Sequence, residues 1–147
     1  MTNKAANKVG VTIGSLQFMV ERGKIKEFAL AIGDDNPLYY DVETARAAGF
    51  RDVPIPPTFP TVIEMWGGLD FEALFEVLEM NPLKVLHGEQ EYTYLQDICA
   101  GDEITGEIRV KADEVKRAMR LVTLEGKFMN QQMEDVLLSK SVVIERM

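Results

Sequence analysis

The 147-residue chain is 46% hydrophobic and 27% charged, carries a formal net charge of −8 and contains a single cysteine, Cys99. That length suits one domain with its own core. The acidic balance argues against a nucleic-acid partner, and one cysteine excludes an internal disulfide and argues against a cysteine-based zinc site. No apolar run reaches bilayer length, and the polar start from Met1 to Lys8 has no apolar stretch behind it, unlike a signal peptide. These features lead us to expect a cytoplasmic protein without membrane association, with residues 1–10 as a flexible tail and 11–147 as one domain.

In chain order, Ser15 to Glu21 reads as a first strand. Ile25, Phe28, Ala29 and Ile32 then fall at helical spacing, and Gly33 ends that helix. Gly33 to Leu38 is a turn, because Pro37 moves Asn36 out of the helical region and Asp and Asn favour turns. Asp41 to Ala48 reads as a short helix capped by Asp41. Pro54-Ile55-Pro56-Pro57 is stiff and extended. Thr58 is the expected N-cap of the most apolar helix, whose stripe is Phe59, Val62, Ile63 and Trp66. Gly67-Gly68 ends it, and Asp70 caps a further amphipathic piece through Phe71, Leu74, Phe75 and Leu78.

From Lys84 the period changes to two. Strands are expected at about 85–96, 103–112, 118–130 and 133–146, with Ile104, Gly106, Ile108 and Val110 on one side of the second. A helical half followed by a stranded half suggests an α+β fold. Lys111, Lys116, Arg117 and Arg120 read as a solvated hairpin end rather than a basic patch for an anionic ligand, and the methionines as core fillers. Tyr92 and Tyr94 share one side of a strand and read as core or interface residues, with lining of an acyl pocket as the alternative.

Residues 28–45, FALAIGDDNPLYYDVETA, carry more than a turn signal. They resemble the signature of the MaoC-like dehydratases and (R)-specific enoyl-CoA hydratases, an aromatic residue leading into Gly-Asp-x-Asn-Pro-Leu-His and then an Asp and a small residue. Gly33, Asp34, Asn36, Pro37, Leu38, Asp41 and Ala45 match; Tyr39 stands where the family has its catalytic His. Residues 56–60 (PPTFP) and 87–92 (HGEQEY) also resemble segments of the N-terminal MaoC-type dehydratase group, and the likeness runs from about Leu16 to the C-terminus. The resemblance implies a hot-dog fold, an antiparallel sheet wrapped around a long central helix, and a dimer with itself or a related subunit. It also implies an acyl-CoA or acyl-carrier-protein thioester as ligand. No redox or metal cofactor is implied.

In the family, the Asp and His move the protons of a water added to a trans-2-enoyl thioester. By resemblance Asp34 takes the catalytic Asp position and Asn36 helps fix the site. Tyr39 replaces an imidazole that titrates near neutrality by a phenol of pKa about 10, a poor base, and losing one acid or base costs roughly 10²–10⁴ in rate. From helix physics alone, the helix N-terminus at Pro57, Thr58 and Phe59 is the candidate that polarises the thioester carbonyl.

Three readings follow: a subunit with a degenerate dyad beside an intact partner, a self-sufficient homodimeric hydratase using Asp34, and a thioesterase using Asp34 or Glu64. A non-catalytic acyl-thioester sensor or structural partner is a fourth. His87, the only histidine, reads as a structural residue at a strand start rather than a substitute base.

Overall fold

The structure, a computed structural model, describes residues 7–147. Five strands, β1 (Thr12–Met19), β2 (Val85–Tyr94), β3 (Glu103–Lys116), β4 (Met119–Met129) and β5 (Asp135–Arg146), form one antiparallel sheet in the order β1-β3-β4-β5-β2. The alternation read in the sequence sets its inner face: Ile104, Ile108 and Val110 of β3 and Val122, Leu124 and Phe128 of β4 are buried. β3 runs four residues beyond its expected end. Arg117 and Ala118 both take positive φ, 49° and 60°, and make a tight reversal of the kind that suits a twisted hairpin.

That hairpin does not carry all four expected bases at its solvated end. Lys111 and Lys116 pair with Glu125 and Glu114, whereas Arg120 is buried. Its Nε and Nη2 donate to the Asp113 carboxylate at 2.9 and 2.8 Å, and its Nη1 donates to the Leu78 carbonyl at 2.6 Å. Both charges leave water together, so each needs the other.

Four helices connect the strands: α1 (Arg22–Ala31), α2 (Val42–Ala47), α3 (Pro60–Gly67) and α4 (Phe71–Leu78). Ile25 and Ala29 of α1 are fully buried, as their spacing requires. Ile32 lies beyond the last helical residue and is half exposed. Asp41 caps α2 and Asp70 caps α4 through their carboxylates.

The central helix departs from its sequence reading in three ways. Thr58 is not its cap; Phe59 holds that position in helical geometry without a side-chain bond. The single long helix that the resemblance implies is two eight-residue pieces, α3 and α4, broken at Gly67-Gly68 as the glycines and Asp70 lead us to expect, where Gly68 takes φ 144°. Trp66 is 81% exposed while Glu64 is only 8% exposed. The cause lies at the glycines: a Cβ on Gly68 would sit 2.8 Å from the Ser15 carbonyl oxygen of β1. This close approach rolls the helix so that Phe59, Pro60, Ile63 and Glu64 face inward.

The sheet wraps because both of its edges meet this helical unit. Gly67 and Gly68 lie against β1, and Thr61, Glu64 and Met65 share a cavity with β2. Val53 to Ile55 pair with Ile98 to Ala100, which closes the fold beside Cys99. Of the tail expected over residues 1–10, residues 1–6 lie outside the described part. Residues 7–10 run along β3: the Lys8 N–H donates to Asp113 at 2.9 Å and the Gly10 N–H to the Val110 carbonyl at 2.9 Å.

Candidate functional site

The Asp34 loop is built by successive side-chain caps. Gly33, at φ 72°, turns the chain out of α1 in a conformation other residues resist, and the Asp34 N–H donates back to the Ala29 carbonyl at 2.9 Å. Asp34 Oδ1 accepts the Asn36 N–H at 3.0 Å, and Asn36 Oδ1 accepts the Leu38 N–H at 3.1 Å. The second bond caps a single 3₁₀ turn, Pro37–Tyr39. The Tyr40 hydroxyl donates to the Asp34 carbonyl. Asp34 is thus half-buried on a loop whose backbone is fixed at each step, while Asn36 is exposed and acts as a cap.

Tyr39 follows directly and packs against the core. Burial, and then the neighbouring Asp34 carboxylate, push its phenol above the ordinary value of 10. Tyr39 therefore stays protonated at neutral pH and offers a hydrogen-bond donor, not a base.

Two residues that sequence reading set aside complete the site. Tyr94 of β2 donates through its hydroxyl to the Pro57 carbonyl at 2.8 Å. Its phenol is raised by burial and by Tyr92 and Tyr39, so it links the Asp34 loop to the turn before α3. Tyr92 shares a 2.8 Å hydroxyl–hydroxyl bond with Thr61; burial and then the Glu64 carboxylate push it up to about 12. Asp34, Tyr39, Tyr94, Tyr92 and Glu64 form a row in which each group senses the next. The period-two placement of both tyrosines on one strand was the signal for this, but it fits packing equally well.

The turn at 56–60 offers less than a full helix N-terminus. Phe59 is fully buried, packed edge-on against Phe28 and Phe18 at 5.5 and 6.1 Å, and its N–H is taken by the Pro56 carbonyl at 2.9 Å. Phe59 is therefore a core anchor, a correction to its expected place on the substrate. Pro57 and Pro60 have no N–H. Pro57 and Thr58 are exposed, and Thr58 has no acceptor for its N–H among the described residues.

Beside this row lies a cavity of about 220 Å³ between α3, α4 and the sheet, with Thr61, Glu64, Met65, Leu74, Gln90 and Val143 in its wall. Glu64 Oε1 is buried without a hydrogen-bond partner. Burial raises its carboxyl from the ordinary 4.5 to about 7, opposed by a hydrogen bond from the Ser139 hydroxyl. His87 is exposed on β2 next to a bulge and also lines this cavity.

A curled antiparallel sheet holding a helix against its inner face, with an Asp-bearing loop at the helix entrance, defines an α+β hot-dog fold. Residues 7–138 match the family described as FAS1-like, dehydratase domain region, and the chain belongs to that family. It is 34% identical to a UPF0336 protein of Leifsonia xyli subsp. xyli over 139 residues, covering 88% of this chain and 86% of the relative. With a UPF0336 protein of Thermobifida fusca it shares 36% identity over 129 residues, 88% of this chain and 84% of the relative.

Among solved structures, the C-terminally truncated HadBC (3R-hydroxyacyl-ACP dehydratase) complex of Mycobacterium tuberculosis superposes with a TM-score of 0.78 at 19% identity. It covers 98% of this chain and 99% of that one. The R-hydratase PhaJ1 of Pseudomonas aeruginosa gives 0.70 at 17% identity, covering 95% and 82%. These likenesses show the fold.

Proposed function

We propose that this chain is an acyl-thioester-binding subunit of an (R)-3-hydroxyacyl-thioester dehydratase or enoyl-CoA hydratase, acting in fatty-acid or acyl-CoA metabolism beside a hot-dog partner that carries an intact Asp/His pair. The carrying observation is Tyr39. It stands next to Asp34 at the family's His position, and its surroundings move the phenol further from the range in which it accepts a proton. Family membership and the hot-dog fold support the reaction class.

In this reading Asp34 and the Tyr39 hydroxyl orient water or product at the seam, and the exposed Thr58 N–H supports the thioester carbonyl. The partner supplies the titrating imidazole. The assembly uses β2, the open sheet edge next to the tyrosine row. A homodimer is the alternative assembly, and in it Asp34 alone carries the proton transfer.

The test is hydration of trans-2-enoyl-CoA substrates of graded length by the purified chain, alone and with a related chain bearing Gly-Asp-x-Asn-Pro-Leu-His. We expect no turnover alone, turnover on mixing, and a gain of activity in Tyr39→His. Turnover by the wild-type chain alone that disappears in Asp34→Asn would instead establish a self-sufficient enzyme.

A further inference from the structure

The open edge of β2 carries a charge pattern as well as an unpaired backbone. Gln90 lines the cavity beneath α3, and the hydroxyls of Tyr92 and Tyr94 bond Thr61 and the Pro57 carbonyl. Alternation along the strand therefore turns Glu89, Glu91 and Thr93 to the outer face, where all three are exposed. On that face the charges alternate from strand to strand. Glu91 lies opposite Lys140 of β5, Lys140 opposite Glu125 of β4, and Glu125 opposite Arg109 of β3. The row reads negative, positive, negative, positive, and at the open edge it stops on a carboxylate.

Opposite charges that face each other across strands stabilise a sheet, and like charges destabilise it. The strand that continues this row is therefore one that presents a cation. A second copy of this chain does not supply it. When two sheets join along β2 with both helical layers on one side, outward residues of one strand face outward residues of the other. An antiparallel two-fold pairing centred on Glu89, Gln90 or Glu91 then sets Glu89 against Glu89, Glu89 against Glu91, or Glu91 against Glu91. Those are the registers that pair most of the strand. Carboxylates on an open edge also deter unselective pairing. Here Glu91 stands in line with the row behind it, so the group that repels a like edge attracts a basic one.

We propose that Glu89 and Glu91 select the partner at this seam: a hot-dog chain whose edge strand presents Lys or Arg on its outer face opposite them, in preference to a second copy of this chain. The inference rests on the two-subunit reading above and adds the chemistry of the partner's edge.

The experiment measures pairing of the full chain by fluorescence-detected sedimentation, with one member of each pair labelled. Beside the wild type it uses Glu89→Lys/Glu91→Lys, Glu89→Gln/Glu91→Gln and Glu103→Lys/Glu107→Lys. The last pair is exposed on β3, which β4 and β5 separate from β2, and changes the net charge equally. Wild type mixed with Glu89→Lys/Glu91→Lys sets opposite charges face to face in each of the three registers. We expect this mixed pair to form about tenfold more tightly than either protein with itself, and the gain to shrink at about 0.5 M salt. The glutamine variant should pair with itself more tightly than the wild type does. Mixing the wild type with Glu103→Lys/Glu107→Lys should bring no gain. Urea midpoints establish that each variant is folded.

A mixed pair no tighter than the self-pairs, an equal gain with Glu103→Lys/Glu107→Lys, or wild-type self-pairing as tight as that of the glutamine variant overturns the proposal. None of these measurements uses a thioester, so the two proposals fail separately. Turnover on mixing with an intact partner, without charge-dependent pairing, sinks this one alone. Charge-dependent pairing without turnover on mixing sinks the functional reading alone.

Discussion

At the scale of single residues, Glu64 ties burial to pH. Its carboxyl titrates at about 7 in the folded chain against an ordinary 4.5. Below pH 4.5 it is protonated in both states and costs nothing. Between 4.5 and 7 the unfolded chain has released a proton that the folded chain still holds, so stability falls as pH rises, by about 3 kcal/mol in all. Above 7 the loss is complete. The opposite limb belongs to other groups. Arg22 holds Asp52 down at about 2, and the hydrogen bond from Arg120 holds Asp113 below its ordinary value. Burial pushes Asp102 up but is outweighed by bonds from Arg51, Cys99 and Gln131. These carboxylates stabilise the fold above about pH 4 and lose that contribution as pH falls through their lowered values. Urea midpoints should therefore decline from pH 5 to 7.5 in the wild type. Glu64→Gln should flatten that decline and gain about 2–3 kcal/mol at pH 8. Parallel curves for the two proteins would show that the Glu64 proton is not the source.

At the scale of elements, two strand glycines seat one aromatic ring. Gly106 of β3 lies opposite Phe128 of β4, and a Cβ there would approach the Phe128 ring to 2.6 Å and the Lys127 carbonyl oxygen to 2.8 Å. At Gly126 a Cβ would meet the Phe128 ring at 2.8 Å. The fully buried Phe128 side chain thus fills the space both glycines leave. Gly106→Val should displace the ring and cost about 1–3 kcal/mol, measurable as a lowered midpoint with an unchanged denaturant slope; a neutral effect would mean that the ring has somewhere else to go. The sequence shows Gly106 in an inward position of an alternating strand, but not which ring covers it, because that depends on cross-strand register. The same limit explains what else was hidden. The approximate positions of the strands, α1 and the caps at Asp41 and Asp70 follow from local periodicity and turn chemistry. The roll of α3, which buries Glu64 and exposes Trp66, depends on Gly67 and Gly68 meeting β1, a residue pair distant in sequence. At the site, Asp34, Asn36 and Tyr39 were legible from one contiguous motif. Tyr94 and Tyr92 were not, since only folding brings β2 beside that loop and the turn at Pro57.

At the scale of the whole molecule, the sheet leaves β2 with an open side. Its ten residues pair with β5 along one edge only, and eight of the ten are exposed, Val85 and Tyr92 being partly buried and Leu86 half exposed. An open edge of that length invites pairing with another chain, and the tyrosine row lies along it, so a partner strand there would stand next to Asp34 and Tyr39. This arrangement predicts an assembly of two hot-dog chains whose seam is β2. Sedimentation should give a particle of two chains, either with the chain alone or on mixing with an intact partner. Within that particle, hydrogen exchange at the amides of β2 should slow relative to a dilute monomer. The amides of β4, already paired on both sides, should exchange at the same rate in both. Assembly that protects another part of the surface and leaves β2 unchanged would place the seam elsewhere. The partner's imidazole would then be too far from Tyr39 to complete the site, and catalysis would have to rest on Asp34 within one chain.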